Sequence, residues 1–271
     1  MKTSKIIWGI MGTVAVISTL LFIVGFAYAS NQILFPKKTA IAEPVSTPVV
    51  NKDKVTEAKD KLQIVALGDS LTAGTGDLAG KGYVGRVKEK LETQMGKPVF
   101  VINNFAVPGY TTTQLLADVK KQQTQSAMKE ADIILFTIGG NDLFEGGEGL
   151  FTGEGQDEFN PQAAVVRIAP AIDRVEQIIT EVNKVNPDAV VLYVGLYHPY
   201  LDMDPKKEGS LIVQKWNDSV FAIMNRYPNM IVVPTYDLFE RNLMKYLFTD
   251  HFHPNQDGYE RIADRIAQIM K

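Results

Sequence analysis

A chain of 271 residues, 45% of them hydrophobic and 22% charged, can bury a sizeable core and hold one large domain or two small ones. The formal net charge of −3 and the lack of a basic stretch argue against a nucleic-acid partner. The absence of cysteine excludes disulfides, a cysteine nucleophile, thiolate metal sites and a lipid attached to cysteine.

The amino-terminal residues predict a membrane anchor. Lys2 and Lys5 are followed by 24 uncharged residues, 6–29. A membrane-crossing helix needs about 20 apolar residues, whereas the core of a cleaved signal usually has roughly 7–15. Length therefore favours a retained anchor over residues 1–29, with the lysines inside and the rest of the chain on the extracytoplasmic side. The alternative is a secreted protein, since Ala-Tyr-Ala, ending at Ala29, resembles a cleavage site.

The remainder of the chain predicts a spacer and one domain. Residues 30–60 carry three prolines among polar residues without hydrophobic periodicity, which is typical of a flexible spacer. Strand and helix patterns then alternate through residues 61–271, which predicts a parallel sheet with helices on both faces. In chain order, the pattern predicts strands at 62–67, 99–102, 133–138, 189–195 and 230–233, and helices at 83–95, 112–122, 168–186, 213–223 and 259–269.

Two stretches break this alternation. Residues 145–160 are rich in glycine and acidic side chains, and residues 197–209 contain several aromatic side chains. Both follow predicted strands, and long loops in compact domains are usually functional or disordered. We expect both to line a substrate site, although a solvated loop is an equal alternative for the first. The substrate-binding candidates are Asp69, Leu150, Phe151, Tyr197 and Tyr200.

Four polar clusters follow predicted strands. They are Gly68-Asp69-Ser70, Pro108-Gly109, Gly140-Asn141-Asp142 and the segment from Asp250 to His253. Because ligands bind outside the carboxyl ends of parallel strands, we expect these clusters to meet there.

Chemistry explains why such residues belong together. A serine hydroxyl is a poor nucleophile until a neighbouring base, usually histidine, takes its proton, and a carboxylate behind the histidine orients the ring. Asp250 and His253 are three residues apart and can meet within one turn. A glycine amide and an asparagine side chain can donate hydrogen bonds to an oxyanion. The alternative for Asp69 and Ser70 is a helix cap or a turn.

Gly68-Asp69-Ser70-Leu71, together with the three later clusters, resembles the SGNH hydrolases, which include the GDSL lipases and acylhydrolases. The resemblance covers residues 62–271. It implies a flavodoxin-like three-layer α/β/α sandwich with five parallel strands in the order 2-1-3-4-5, and a mechanism without metal or cofactor. It also implies roles for five residues: Ser70 as nucleophile and oxyanion donor, Gly109 and Asn141 as further oxyanion donors, His253 as base and Asp250 as its orienting carboxylate.

The remaining polar residues near these clusters receive structural interpretations. His251 adjoins Asp250 too closely to fold back onto it, and we interpret it as a partly exposed turn residue. His198 lies in the second long loop and is expected at the rim or the surface. Asp142 is expected to make turn or cap hydrogen bonds, and Asn255 to cap the last helix.

The resemblance implies a serine ester hydrolase that cleaves acyl esters through an acyl-enzyme on Ser70. The substrate would be a small or lipid ester, of lysophospholipase or carboxylesterase type. One alternative is a deacetylase of cell-wall or polysaccharide O-acetyl groups with the same residues. Another is a non-catalytic binding module on the cell surface.

Overall fold

The structure, a computed structural model, describes residues 2–34, 59–144, 151–152, 158–159 and 162–271. The chain divides into two units, Met1–Thr47 and Pro48–Lys271. The first contains helix α1, Lys2–Leu34, so that five residues of the predicted spacer are helical. Within α1, Met11–Tyr28 has a mean hydropathy of 2.0 and is not buried, so it is long and apolar enough to be a membrane span or a signal sequence.

The second unit is built on a sheet of five parallel strands. The described strands are β1 Leu62–Gly68, β2 Val99–Asn104, β3 Ile133–Thr137, β4 Phe151–Thr152, β5 Glu158–Phe159, β6 Val190–Val194 and β7 Met230–Val233. The five long strands lie in the order β2-β1-β3-β6-β7, which confirms the predicted order. Strands β4 and β5 form a separate antiparallel pair.

Helices cover both faces of this sheet. They are α2 Ser70–Ala73, α3 Gly82–Met95, α4 Thr112–Asp118, α5 Gln122–Glu130, α6 Gly140–Phe144, α7 Gln162–Val185, α8 Glu208–Met224, α9 Tyr236–Glu240, α10 Leu243–Tyr246 and α11 Gln256–Ile269. A 3-10 turn, Leu201–Met203, lies between β6 and α8.

Alternation along the strands divides the core between the two faces. In β1, Val65 and Leu67 pack with residues of α4, α5, α7 and α8, whereas Ile64 and Ala66 pack with residues of α3 and α11. Successive side chains of a strand point to opposite faces, so an almost wholly apolar strand supplies both layers. The three-layer α/β/α sandwich is therefore confirmed.

One predicted helix is wrong in extent. The pattern predicts a single helix over residues 112–122, but the chain forms α4 and α5, separated by a turn in which the Lys121 amide donates to the Asp118 carbonyl at 3.0 Å. Polar residues 120–123 offer no apolar side chain that would continue the buried stripe of α4.

Candidate active site

Ser70 lies where β1 ends and α2 begins. Gly68 has φ +122°, and a Cβ at this position would lie 2.0 Å from the Thr137 carbonyl oxygen, so only glycine lets the two strands end this close together. Asp69 is the N-cap of α2, and its Oδ1 accepts from the Leu71 amide at 3.1 Å. Ser70 is therefore the first residue of the helix, where backbone amides lack intrahelical acceptors.

The loop before α11 brings a histidine and a carboxylate to Ser70. His253 Nε2 lies 2.7 Å from Ser70 Oγ, and His253 Nδ1 lies 2.7 Å from Asp250 Oδ2. The other carboxylate oxygen, Asp250 Oδ1, accepts from the amides of Phe252 and His253, each at 3.0 Å. The spacing of three residues thus closes a turn around the Asp250 carboxylate, and a continuous relay of hydrogen bonds connects the serine, the histidine and the aspartate.

The pKa of Asp250 is held below its ordinary value. Burial opposes this shift, but the hydrogen bond from the His253 ring and those from the two backbone amides outweigh it. Asp250 is therefore ionised near neutral pH, which is the state that orients an imidazole and stabilises its protonated form.

Asn141 is bonded to the loop that carries Gly109, since Asn141 Nδ2 donates to the carbonyl of the next residue, Tyr110, at 2.8 Å. The second hydrogen of this amide remains available for another acceptor. Gly109 is exposed, has φ +85° and has open space where a Cβ would stand. The loop that carries it runs beside β1, because the Val107 amide donates to the Gly68 carbonyl at 3.0 Å.

Asp142 connects α6, which also carries Asn141, to the start of α4. Its carboxylate accepts from the amide and hydroxyl of Thr112 at 2.9 and 2.5 Å, and Arg174 lies 3.4 Å away. The predicted structural interpretation of Asp142 is confirmed, although the bonds cap the neighbouring helix α4 and not its own turn. Helix α6, which carries Asn141, is thereby held against the start of α4.

The structure places Asp69, a predicted substrate contact, in the interior of the domain. Its side chain is buried, and Oδ1 also accepts from the Thr137 hydroxyl at 2.6 Å. The hydroxyl of Thr72 continues this buried chain, with 2.7 Å to both Thr137 Oγ1 and Tyr83 OH. Burial raises the pKa of Asp69 to about 6, against the hydrogen bonds from Thr137 and Leu71, which lower it. In the sequence, the feature that could have indicated a buried partner for Asp69 is Thr137, a polar residue at the end of an apolar strand.

Two of the aromatic substrate candidates, Tyr197 and Tyr200, also lie in the interior. Tyr197 and Tyr200 are only 5% and 6% exposed, because Tyr197 stacks on Phe239 and Tyr200 packs edge-on against Phe144. These side chains are therefore part of the core. Leu150 lies outside the described residues, and of Phe151 only the backbone is described, paired with Phe159 in the short antiparallel strands.

His198 is buried and not at the rim, so that prediction is wrong. Its ring stacks on Phe144 at 5.9 Å between centroids, and Nε2 lies 3.1 Å from Asp204 Oδ2. Burial lowers the pKa of His198 against the opposing effect of Asp204. His251 is an exposed turn residue, as predicted, and Asn255 caps α11 through the Gly258 amide at 3.0 Å, also as predicted. Among the described residues, no three His, Asp or Glu side chains cluster closely enough to hold a metal ion.

The comparisons with known proteins identify the family of the chain. The profile of the GDSL-like Lipase/Acylhydrolase family matches residues 66–261, which contain all four polar clusters. The chain belongs to this family.

Two curated relatives and one solved structure show how far the likeness extends. The uncharacterized protein YpmR of Bacillus subtilis (strain 168) is 33% identical over 84% of this chain and 89% of its own. The spore germination lipase LipC of Bacillus licheniformis is 28% identical over 76% of this chain and 94% of its own. The lipase Lip_vut3 from a goat rumen metagenome has a TM-score of 0.66 at 26% identity, over 76% of this chain and 96% of that structure.

Proposed function

We propose that this GDSL-family protein is a serine ester hydrolase whose nucleophile is Ser70. The observation that carries the proposal is the relay from Ser70 Oγ through His253 to Asp250, with 2.7 Å at each of its two junctions. Both distances are within hydrogen-bonding reach, which proton transfer from a serine requires.

In the proposed reaction, Ser70 Oγ attacks the ester carbonyl carbon while His253 Nε2 takes the hydroxyl proton. Asp250 holds Nδ1 and stabilises the imidazolium that forms. As the tetrahedral intermediate collapses, His253 gives this proton to the leaving alcohol, and the acyl group remains on Ser70. A water molecule, deprotonated by His253, then attacks the acyl-enzyme and releases the acid.

The oxyanion of each tetrahedral intermediate would accept from the amides of Ser70 and Gly109 and from Asn141 Nδ2. The bond from Asn141 to the Tyr110 carbonyl supports this assignment, because it fixes the amide plane beside the Gly109 loop before substrate binds. Such preorganised donors stabilise charge that develops only in the transition state.

Family membership and the likeness to proteins described as lipases favour acyl esters as substrates. Tyr197 and Tyr200 are buried and therefore offer little apolar surface to an acyl chain. The complete hydrogen-bond relay is an argument against a binding module without activity. We further propose that α1 is a retained anchor and that the hydrolase domain lies on the extracytoplasmic side, with the alternative of secretion after cleavage.

Replacement of Ser70 by alanine tests the mechanism. We expect Ser70→Ala to lose hydrolysis of p-nitrophenyl butyrate by at least about 10³-fold and to lose labelling by a fluorophosphonate. Ser219→Ala, on α8, is the matched control and should keep both.

The outcomes separate the candidate functions. Wild-type turnover in Ser70→Ala would refute the mechanism, and a wild-type protein that neither labels nor hydrolyses any ester would indicate a binding module. A panel of acyl esters, lysophospholipids and acetylated glycans, assayed with the wild type and Ser70→Ala, distinguishes an acylhydrolase from a deacetylase.

A further inference from the structure

The loop that carries His253 is exposed at Asp250 and His251, whereas Phe252 and His253 are half-buried. The Asp250 side chain is 37% exposed and that of His253 17% exposed. A single hydrogen bond that solvent can reach stabilises a geometry only modestly. Within the turn, His251 adopts φ 55°, in the left-handed region that non-glycine residues rarely occupy. The alignment of His253 with Ser70 therefore depends on contacts from outside the turn.

Backbone hydrogen bonds among residues 246–255 hold the two ends of this loop. The Phe248 amide donates to the His253 carbonyl at 2.8 Å, and the Asn255 amide donates to the Tyr246 carbonyl at 2.9 Å. These bonds fasten the strand-like flanks of the loop. The peptide between Asp250 and His253 needs a separate contact on the side that faces away from the carboxylate.

Tyr197 supplies that contact. Its hydroxyl donates to the Phe252 carbonyl at 2.5 Å, while the amide of Phe252 donates to Asp250 Oδ1 at 3.0 Å. Phe252 is thus held through both of its backbone polar groups, one on each side. Burial keeps the pKa of the Tyr197 hydroxyl well above its ordinary value, so the hydroxyl remains a donor throughout the working pH range.

The Tyr197 ring is held in the core, which fixes the position of this donor. It is 5% exposed and stacks on Phe239 with 4.1 Å between centroids and 21° between planes. Phe239 in turn packs edge-on against Tyr246. A hydroxyl on a ring fixed in the core can hold an exposed loop, because interiors are close-packed and the ring has no room to shift.

Phe252 also connects the loop to the helix that carries Asn141. Its ring lies edge-on to the His253 ring at 5.0 Å, and a Cβ on Gly140 would meet its Cζ at 3.8 Å. A displaced Phe252 would therefore disturb the base and the start of α6 together.

From this geometry we infer that Tyr197 is a positioning residue, whose hydrogen bond to the Phe252 carbonyl keeps His253 aligned with Ser70. The inference rests on the proposed hydrolase function and deepens it. Tyr197 does not contact the reacting atoms, so its removal should reduce turnover and leave substrate affinity unchanged.

Tyr197→Phe tests the inference, since it removes one oxygen and keeps the stacked ring. We expect kcat for a soluble ester to fall about 5- to 50-fold, because small displacements of a catalytic group are costly, while KM changes less than twofold. The proton NMR signal of His253 Nδ1–H, in the bond to Asp250, should broaden or disappear well below the melting temperature. Tyr246→Phe is the matched control, because this buried tyrosine shares the Phe239 contact but its hydroxyl accepts from Arg261 at 3.3 Å.

Each possible result supports or overturns the positioning role of Tyr197. Unchanged kcat in Tyr197→Phe overturns the inference, and a raised KM with unchanged kcat would make Tyr197 a substrate contact instead. Equal losses in Tyr197→Phe and Tyr246→Phe would indicate general loosening of the core and also overturn it. Ser70→Ala, assayed in parallel, keeps the two proposals apart: if it is active, the hydrolase mechanism fails, and if it is inactive while Tyr197→Phe is normal, only the positioning role fails.

Discussion

Asp69 and Asp250 both lie near Ser70, yet their environments shift their pKa values in opposite directions. Asp69 is 2% exposed and bonded to the Leu71 amide and the Thr137 hydroxyl, and burial raises its pKa to about 6. Asp250, partly exposed and with three hydrogen bonds to its carboxylate, has a lowered pKa. Of these two aspartates, only Asp250 is the constant anion that a histidine base needs.

Asp69 should make folding stability fall as pH rises. Its pKa of about 6 in the folded state exceeds the ordinary 3.8, so the folded state holds a proton more tightly than the unfolded state. This contribution to stability is full below about pH 4 and is lost as pH rises through 6. Relative to the wild type, Asp69→Asn should gain about 2–3 kcal/mol in the free energy of unfolding between pH 4 and pH 7.

Urea denaturation of both proteins at these two pH values measures the change. Asp188→Asn, at an exposed carboxylate, is the control and should follow the wild type. If the difference between Asp69→Asn and the wild type is the same at both pH values, Asp69 does not titrate in this range in the folded state.

Helix α6 illustrates how a short element is positioned. It has five residues and starts after Gly139, whose φ is +110° and whose Cβ position is filled by the Trp216 ring. A helix this short is not stable alone and depends on tertiary contacts. Asp142 provides them through Thr112, and the same helix presents Asn141 to the Gly109 loop.

Asp142→Ala should therefore affect stability and turnover together. It leaves the buried Thr112 amide without an acceptor, which we expect to lower the free energy of unfolding by about 2–3 kcal/mol. Because α6 then loses its attachment to α4, kcat should fall even where the protein is fully folded. Thermal denaturation and ester hydrolysis are the measurements, with Asp173→Ala on the exposed side of α7 as the control. A destabilised variant with normal kcat would show that the position of α6 does not depend on Asp142.

At the scale of the whole molecule, the chain combines two units of different character. Helix α1 is apolar and exposed along Met11–Tyr28, whereas the second unit buries its apolar residues in two layers around the sheet. An exposed apolar helix of this length is stable in a bilayer and unfavourable in water.

The full-length protein should accordingly remain in the membrane fraction after alkaline carbonate extraction, and its amino-terminal segment should still be present by mass spectrometry. Arginines in place of Val16 and Leu20 should release it, since a charge near the helix centre costs roughly 2.5–3.5 kcal/mol on insertion scales. The exposed Lys245→Arg, in the second unit, is the control. A mature chain that begins at Ser30 would mean that the segment is a cleaved signal.

Local patterns determined the strands and the candidate residues of the relay, and the family resemblance implied the order of the strands. An apolar run such as that of β1 is buried on both faces, which is typical of a central parallel strand. The three-residue spacing of Asp250 and His253 is compatible with one closed turn. The contact of that turn with Ser70, 183 residues away in the chain, is consistent with the sequence but is made only by the sheet, which brings the strand ends together.

The functions of the aromatic residues and of Asp69 were decided by the tertiary structure alone. A tyrosine after a strand is equally compatible with a substrate wall and with a core position, and Tyr197 became a support for the His253 loop because Phe239 and the Phe252 carbonyl lie beside it. Asp69 became a buried cap because Thr137, on the neighbouring strand, supplies its second hydrogen bond. Burial and hydrogen-bond partners come from residues distant in the chain, and no local pattern contains them.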